Sequence, residues 1–328
     1  MSKEPQLIIG SSNEFRDDAN VTKQYQGAVD RLLPIMESPL FGELYKDADI
    51  KKLLASSFYI NAANFPRLIT DFEAETIHPD MTPYATSQRD SYAMVISFKT
   101  PHFRDTFKEL VEKFDPNLYQ DAKEEIDDSS KVALFTLDNL LNPQQVYIVA
   151  KWVHELFHFT SAMNQLPQTQ VDDRVDRGMK RVFARTTSTD LPNEGVERIQ
   201  NGFSRIFMKD GKVLVTSGYK IDDAMASYTE GRGVAEFMGF DFEEFLQREQ
   251  YRLPTLSSAS DAARVINSSL LHRLFGENID EALRQGMAGN RDKVYALPSQ
   301  LPGITTEEAL LHLEGENLVG IAQRLGLL

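Results

Sequence analysis

The chain has 328 residues, 41% of them hydrophobic, with 20 Phe and 11 Tyr, a formal net charge of −14 and no cysteine. That content suits a folded chain of one large domain or two to three subdomains and excludes wholesale disorder. The acidic balance argues against nucleic-acid and anionic-membrane partners, which clustered Lys and Arg would serve, and the missing cysteines exclude disulfides and thiolate metal sites.

In chain order, "QLII" (6–9) and "DSYAMVISF" (90–98) are rich in β-branched and aromatic residues and read as strands. "NVTKQYQGAVDRLLPIM" (20–36) and "PHFRDTFKELVEKF" (101–114) carry apolar residues at three- and four-residue spacing and read as helices. The polar, acidic stretch 115–130 is expected to be a surface connection. "KVALFTLDNL" (131–140) is apolar on both alternating faces, as in a strand inside or at the edge of a covered sheet. Asn142-Pro143 then supplies an N-cap residue and a first-turn proline, so a long helix is expected from about Pro143 to Met163.

Further on, "TQVDDRVDRGMKRVFART" (169–186) reads as an amphipathic helix, and "SRIFMKDGKVLVTSG" (204–218) as a hairpin turning at Asp210-Gly211. "IDDAMASYTEGRGVAEFMGF" (221–240) reads as a helix weakened by Gly231 and Gly233. Helices alone are expected after it: 241–251, 260–276, 278–287 and 305–326. There is no internal repeat, no apolar run of membrane-spanning length and no cleavable signal-peptide pattern. A cytoplasmic protein is therefore expected, and a cysteine-free chain is also compatible with non-classical export. The layout is α+β: an N-terminal mixed region (1–125), a central core (126–240) and a helical C-terminal part (241–328).

The chemistry concentrates in "VAKWVHELFHFTSAM" (149–163), which contains His154-Glu155-Leu156-Phe157-His158, an HExxH pattern. On a helix, positions i and i+4 share a face, so both imidazoles can bind one Zn²⁺. Glu155 lies about 100° round the helix from His154, placed for a water rather than for the ion. Random placement of six histidines gives the pattern in roughly one such chain in a hundred. The bland alternative is a core helix whose histidines are hydrogen-bonded inside. Because the helix is apolar almost all round, two imidazoles and a carboxylate in it need partners, and a metal supplies them together.

"HELFH" on a helix that follows a mixed strand region resembles the zincin metallopeptidases. The resemblance implies a zincin-like α+β fold, a bound zinc ion and hydrolysis of a peptide or protein substrate. In that scheme zinc activates a water and Glu155 is the general base. It also implies that the strand just before the helix is an edge that pairs with extended substrate. The metzincin extension is absent from "HFTSAMNQLPQ", and no histidine lies between His158 and His272, so a gluzincin-like glutamate is expected as third ligand.

Two glutamates qualify. Glu230 lies in "SYTEGRGVAEFMG" among small and apolar residues, where an unpaired carboxylate is costly and the two glycines suggest close approach. Glu194 lies in "LPNEGVERI", 36 residues after His158, a spacing close to that of clostridial-neurotoxin peptidases. Its place in a first helical turn, with Arg198 four residues on, gives it an ordinary reason to be there. Glu230 is the better candidate and Glu194 the alternative, with Asp222 and Asp223 behind them. Oxyanion donors could come from Tyr219, Tyr228, Arg232 or His272, of which Tyr228 and His272 are the first to test. "GRGVAEFMG" lacks the spacing of a phosphate loop. The competing readings are a catalytically weak zincin-fold binding or scaffold protein and a toxin-like exported protease.

Overall fold

The computed structural model describes residues 8–9, 19–76, 93–98, 100–162, 205–209, 212–216, 221–252 and 259–298. The chain divides into two compact units, Met1–Thr160 and Ser161–Leu328. The fold is mixed α and β, mostly helical, with a small mixed sheet, as the α+β layout requires.

The first unit runs β1 (Ile8–Ile9), α1 (Ala19–Met36), α2 (Pro39–Leu44), α3 (Asp47–Ala55), β2 (Ser57–Ile60), α4 (Phe65–Thr76), β3 (Ala93–Ser97), α5 (Pro101–Phe114), α6 (Pro116–Asp128), β4 (Lys131–Thr136), α7 (Leu137–Leu141) and α8 (Val146–Thr160). Its four strands lie in the order β1-β2-β4-β3. The first three are parallel, and β3 runs antiparallel to β4 with Val95 opposite Ala133. Alternate residues of a strand face opposite ways. Phe58, Ile60, Val132, Leu134 and Ile96 therefore join one core with apolar residues of α4, α5 and α6. Tyr59 and Phe135, stacked at 5.6 Å, face the other side, where Tyr25 of α1 lies 5.6 Å from Trp152 of α8.

That two-sided burial explains the unbroken apolar run of β4, and it corrects one expectation. β4 is hydrogen-bonded to β2 on one edge and β3 on the other, so it is not an edge strand and cannot pair with substrate. Among the described strands the edge next to it is β3.

Two further expectations change. Residues 115–130 are not a connection but helix α6, capped by the Asp115 side chain, which accepts from the Leu118 N–H at 3.0 Å. Leu118, Ala122 and Ile126, four residues apart, bury the inner face and leave the acidic face to water. The helix expected from Pro143 begins at Val146, because Asn142 ends α7 and its Oδ1 accepts from the Gln144 N–H at 2.9 Å, making a turn instead of a cap for α8. Helix α5 has the bounds read from sequence, and Thr100 Oγ1 caps it by accepting from Phe103 N.

The second unit holds the antiparallel pair β5 (Arg205–Lys209) and β6 (Lys212–Thr216), in register from Arg205–Thr216 to Lys209–Lys212, while Asp210 and Gly211, the expected turn, lie outside the described residues. Then come α9 (Ile221–Met238), α10 (Phe242–Arg252), α11 (Ala259–Phe275), a 3-10 turn (Gly276–Asn278), α12 (Ile279–Met287) and α13 (Arg291–Ala296). Helices α9 and α11 are antiparallel neighbours: Glu230 meets Arg264, and Tyr228 meets His272. The helices expected at 169–186 and 305–326 lie outside the described residues.

Candidate functional site

Helix α8 is seated on the sheet by Trp152, whose buried indole N–H donates to Tyr59 Oη at 2.9 Å, with Val149, Val153 and Leu156 buried beside it. A different stripe, Lys151, His154 and His158, is only half-buried. The His154 and His158 ring centres are 5.1 Å apart with their planes at 66°. That is the spacing two residues one turn apart produce. It also matches the donor set of a shared ion, since two rings bound at about 2.0–2.1 Å in a tetrahedral arrangement have centres about 5 Å apart. The spacing of the two rings is thus compatible with a shared ion. Glu155, between them in sequence, is 4% exposed.

The end of α8 is held by side chains. The last carbonyls of a helix have no partner within it. Here Thr160 Oγ1 donates to the carbonyls of Leu156 (2.7 Å) and Phe157 (3.3 Å). Lys131 Nζ, from the first residue of β4, donates to those of His158 (3.2 Å) and Phe159 (2.8 Å). Burial, with the nearby Lys52 acting in the same direction, pushes the Lys131 ammonium down to about 8.

In the second unit, Glu230 on α9 is 1% exposed and its Oε1 accepts from Arg264 Nη1 at 2.7 Å. The cost of burying this carboxylate is therefore met, at least in part, by a guanidinium from α11. The close approach expected at Gly231 is not found, since a Cβ there would make only ordinary contacts. A Cβ there would lie 3.5 Å from the Phe242 ring and 3.9 Å from Ser268 Oγ.

Tyr228 and His272 come together: Tyr228 Oη lies 3.4 Å from His272 Nδ1, and the rings are stacked. On its other side, His272 Nε2 is 3.7 Å from Glu243 Oε1. Burial pushes the Tyr228 phenol up to about 12, against the opposing pull of Arg232, so it is a protonated donor at neutral pH. The Arg232 guanidinium sits 5.1 Å from the centre of the Phe242 ring. Asp222 is buried. Glu194 and Tyr219 lie outside the described residues, and so does the side chain of Asp223.

Among the described residues, no three or more of His, Asp and Glu gather into a group that could hold a metal ion. No described helix is long and apolar enough to cross a membrane. Comparison with family models, curated proteins and solved structures gives no match.

Three participants had no signal in the sequence: Lys131 under α8, Arg264 on Glu230, and Glu243 beside His272. Each contact joins residues 27 or more positions apart, and no short motif spans such a distance.

Proposed function

We propose that this protein is a zinc-dependent metallopeptidase of zincin-like build. The observation that carries the reading is the half-buried His154–His158 pair, 5.1 Å between ring centres, on a helix whose opposite face is buried against a sheet. His154 and His158 would hold the ion as neutral imidazoles. Glu230, which would have to leave Arg264, is retained as third ligand and Glu194 as the alternative, since among the described residues no third His, Asp or Glu joins the pair. When bound, zinc acts as a Lewis acid toward a carbonyl and lowers the pKa of water.

The chain's own residues supply the rest. Glu155 accepts the proton of the attacking water and returns it to the leaving amine. Tyr228 and His272 are the proposed hydrogen-bond donors to the oxyanion. The substrate-pairing role passes from β4 to β3. Phe98 N donates to Ser130 O, which continues the β3–β4 ladder. Bonded pairs alternate in an antiparallel ladder, so the main-chain N–H and C=O of Val95 and Ser97 point away from β4, where an extended peptide could add as a strand.

The test is metal analysis joined to hydrolysis of a broad peptide library. The wild-type protein should bind one zinc ion and cleave peptides. Glu155→Gln should retain the zinc and lose at least about a hundredfold in rate, the usual scale for losing a general base. Loss of zinc binding in Glu230→Ala but not Glu194→Ala would support Glu230, and the reverse result would support Glu194.

A second reading, a zincin-fold binding or scaffold protein with little catalysis, draws support from the Arg264–Glu230 ion pair, which gives Glu230 a structural reason for its burial. Zinc bound without any hydrolysis across the library would favour it. Hydrolysis toward substrates from another cell type would favour an exported, toxin-like protease.

A further inference from the structure

We infer that Lys131 is a positioning residue for the metal pair, an inference that rests on the zinc reading of His154 and His158. Lys131 is the first residue of β4 and lies opposite Ser97, the last residue of β3. From there its Nζ bonds the carbonyls of His158 at 3.2 Å and Phe159 at 2.8 Å. One side chain thus ties the central strand, at the point where it leaves the β3 edge, to the turn of α8 that carries the second imidazole.

The last turn of a helix frays most readily, because its carbonyls lack partners. His158 stands only two residues before the end of α8. Without an anchor there, its ring would wander relative to His154, which sits a full turn deeper. Thr160 secures the carbonyls of Leu156 and Phe157, and Lys131 secures those of His158 and Phe159. The anchor is held because Lys131 is paired with Ser97 of β3, and from Ala133 onward the strand is paired with β2 as well. It also fixes the height of His158 relative to the main-chain groups of Ser97 on the proposed substrate edge.

Two effects of removing Lys131 oppose each other, which makes the inference sharp. Loss of a positive charge near the site would tighten binding of a cation, whereas loss of the anchor would loosen it. The anchoring account requires the second to prevail.

The experiment measures Zn²⁺ affinity by competition with a chromophoric chelator and records the ligand-field absorption of the Co²⁺-loaded protein. Wild type, Lys131→Met and Lys131→Arg are compared, with the thermal midpoint of each metal-free protein as the control for folding. Lys131→Met should bind Zn²⁺ at least about tenfold more weakly, as for loss of an outer-shell partner. Its Co²⁺ bands should broaden or shift. Lys131→Arg, which keeps a charged donor of similar reach, should restore most of the affinity and the spectrum. If Lys131→Met fails to fold, Lys131→Gln carries the same expectation. Unchanged affinity and spectrum alongside a lowered metal-free midpoint would reduce Lys131 to a helix cap and overturn the inference. Tighter binding would overturn it in favour of simple charge repulsion. Absence of Zn²⁺ binding by the wild type would overturn the zinc reading itself, and this inference with it.

Discussion

Tyr59 and Trp152 form a polar contact inside the first unit. Both are fully buried, and the indole N–H has the phenol oxygen as its acceptor at 2.9 Å. Tyr59→Phe would remove that oxygen with almost no change of shape, leaving a buried donor without its partner. The expected loss is about 1–3 kcal/mol, read from the urea unfolding midpoint at neutral pH. A change well under that range would mean the indole finds another acceptor. The same scale shows where sequence reading succeeds. His154, Glu155 and His158 were legible because five consecutive residues of a helix determine which of them share a face. The partners that secure them were not. Lys131 reaches His158 across 27 positions and Arg264 reaches Glu230 across 34, and only the fold brings such residues together.

At the scale of elements, Asp115 serves two helices at once. Its N–H donates to Val111 O and closes α5, and its carboxylate accepts from Leu118 N and opens α6. Asp115→Ala should cost about 1 kcal/mol, and up to about 2, measured by chemical denaturation. Asp115→Asn keeps an acceptor and should retain most of the stability, so equal losses in the two variants would sink the capping account.

The Asp115-Pro116 start was present in the sequence, yet 115–130 read as a connection. Its apolar stripe is only Leu118, Ala122 and Ile126, set among many acidic residues, and its burial comes from packing rather than from local pattern. Asn142-Pro143 misled in the opposite direction, since the same residue types that cap helices also make turns. The run of β4 gave the strand but not its neighbours. A strand buried on both faces reads alike at the centre and at a covered edge, and the pairing with β2 and β3 decides the matter.

Across the molecule the two units differ in what they bury. The first packs aromatic and aliphatic side chains on both faces of its sheet. In the second, the neighbouring helices α9 and α11 bury Ser227, Thr229 and Glu230 on one and Asn267, Ser268 and Ser269 on the other. Both nonetheless share a response to alkali. Burial pushes Tyr25 up to about 12 and Tyr59 well above the ordinary phenol value in the first unit, and Tyr228 up to about 12 in the second. In the unfolded chain these phenols ionise near 10. Between about 10 and 12 the folded protein therefore holds more protons than the unfolded one, and stability falls as pH rises. Their contribution is fully present below about pH 10. Thermal midpoints should not fall from pH 8 to about 10, where the depressed Lys131 ammonium favours the folded state as pH rises, and should drop steeply above that, with tyrosinate absorbance rising in step with loss of helical circular dichroism. Smooth ionisation of every tyrosine near 10 with the fold intact would contradict the burial of these three.

The chain has a single tryptophan, and it is Trp152, seated in the first unit two residues before His154 on the sheet-facing side of α8. Its fluorescence is consequently a native optical probe of the unit that carries the histidine pair. Emission followed during titration with a quenching transition metal would report occupancy of the histidine pair without any label. The same emission followed in denaturant, set beside circular dichroism of the whole chain, would show whether the two units unfold together or in turn.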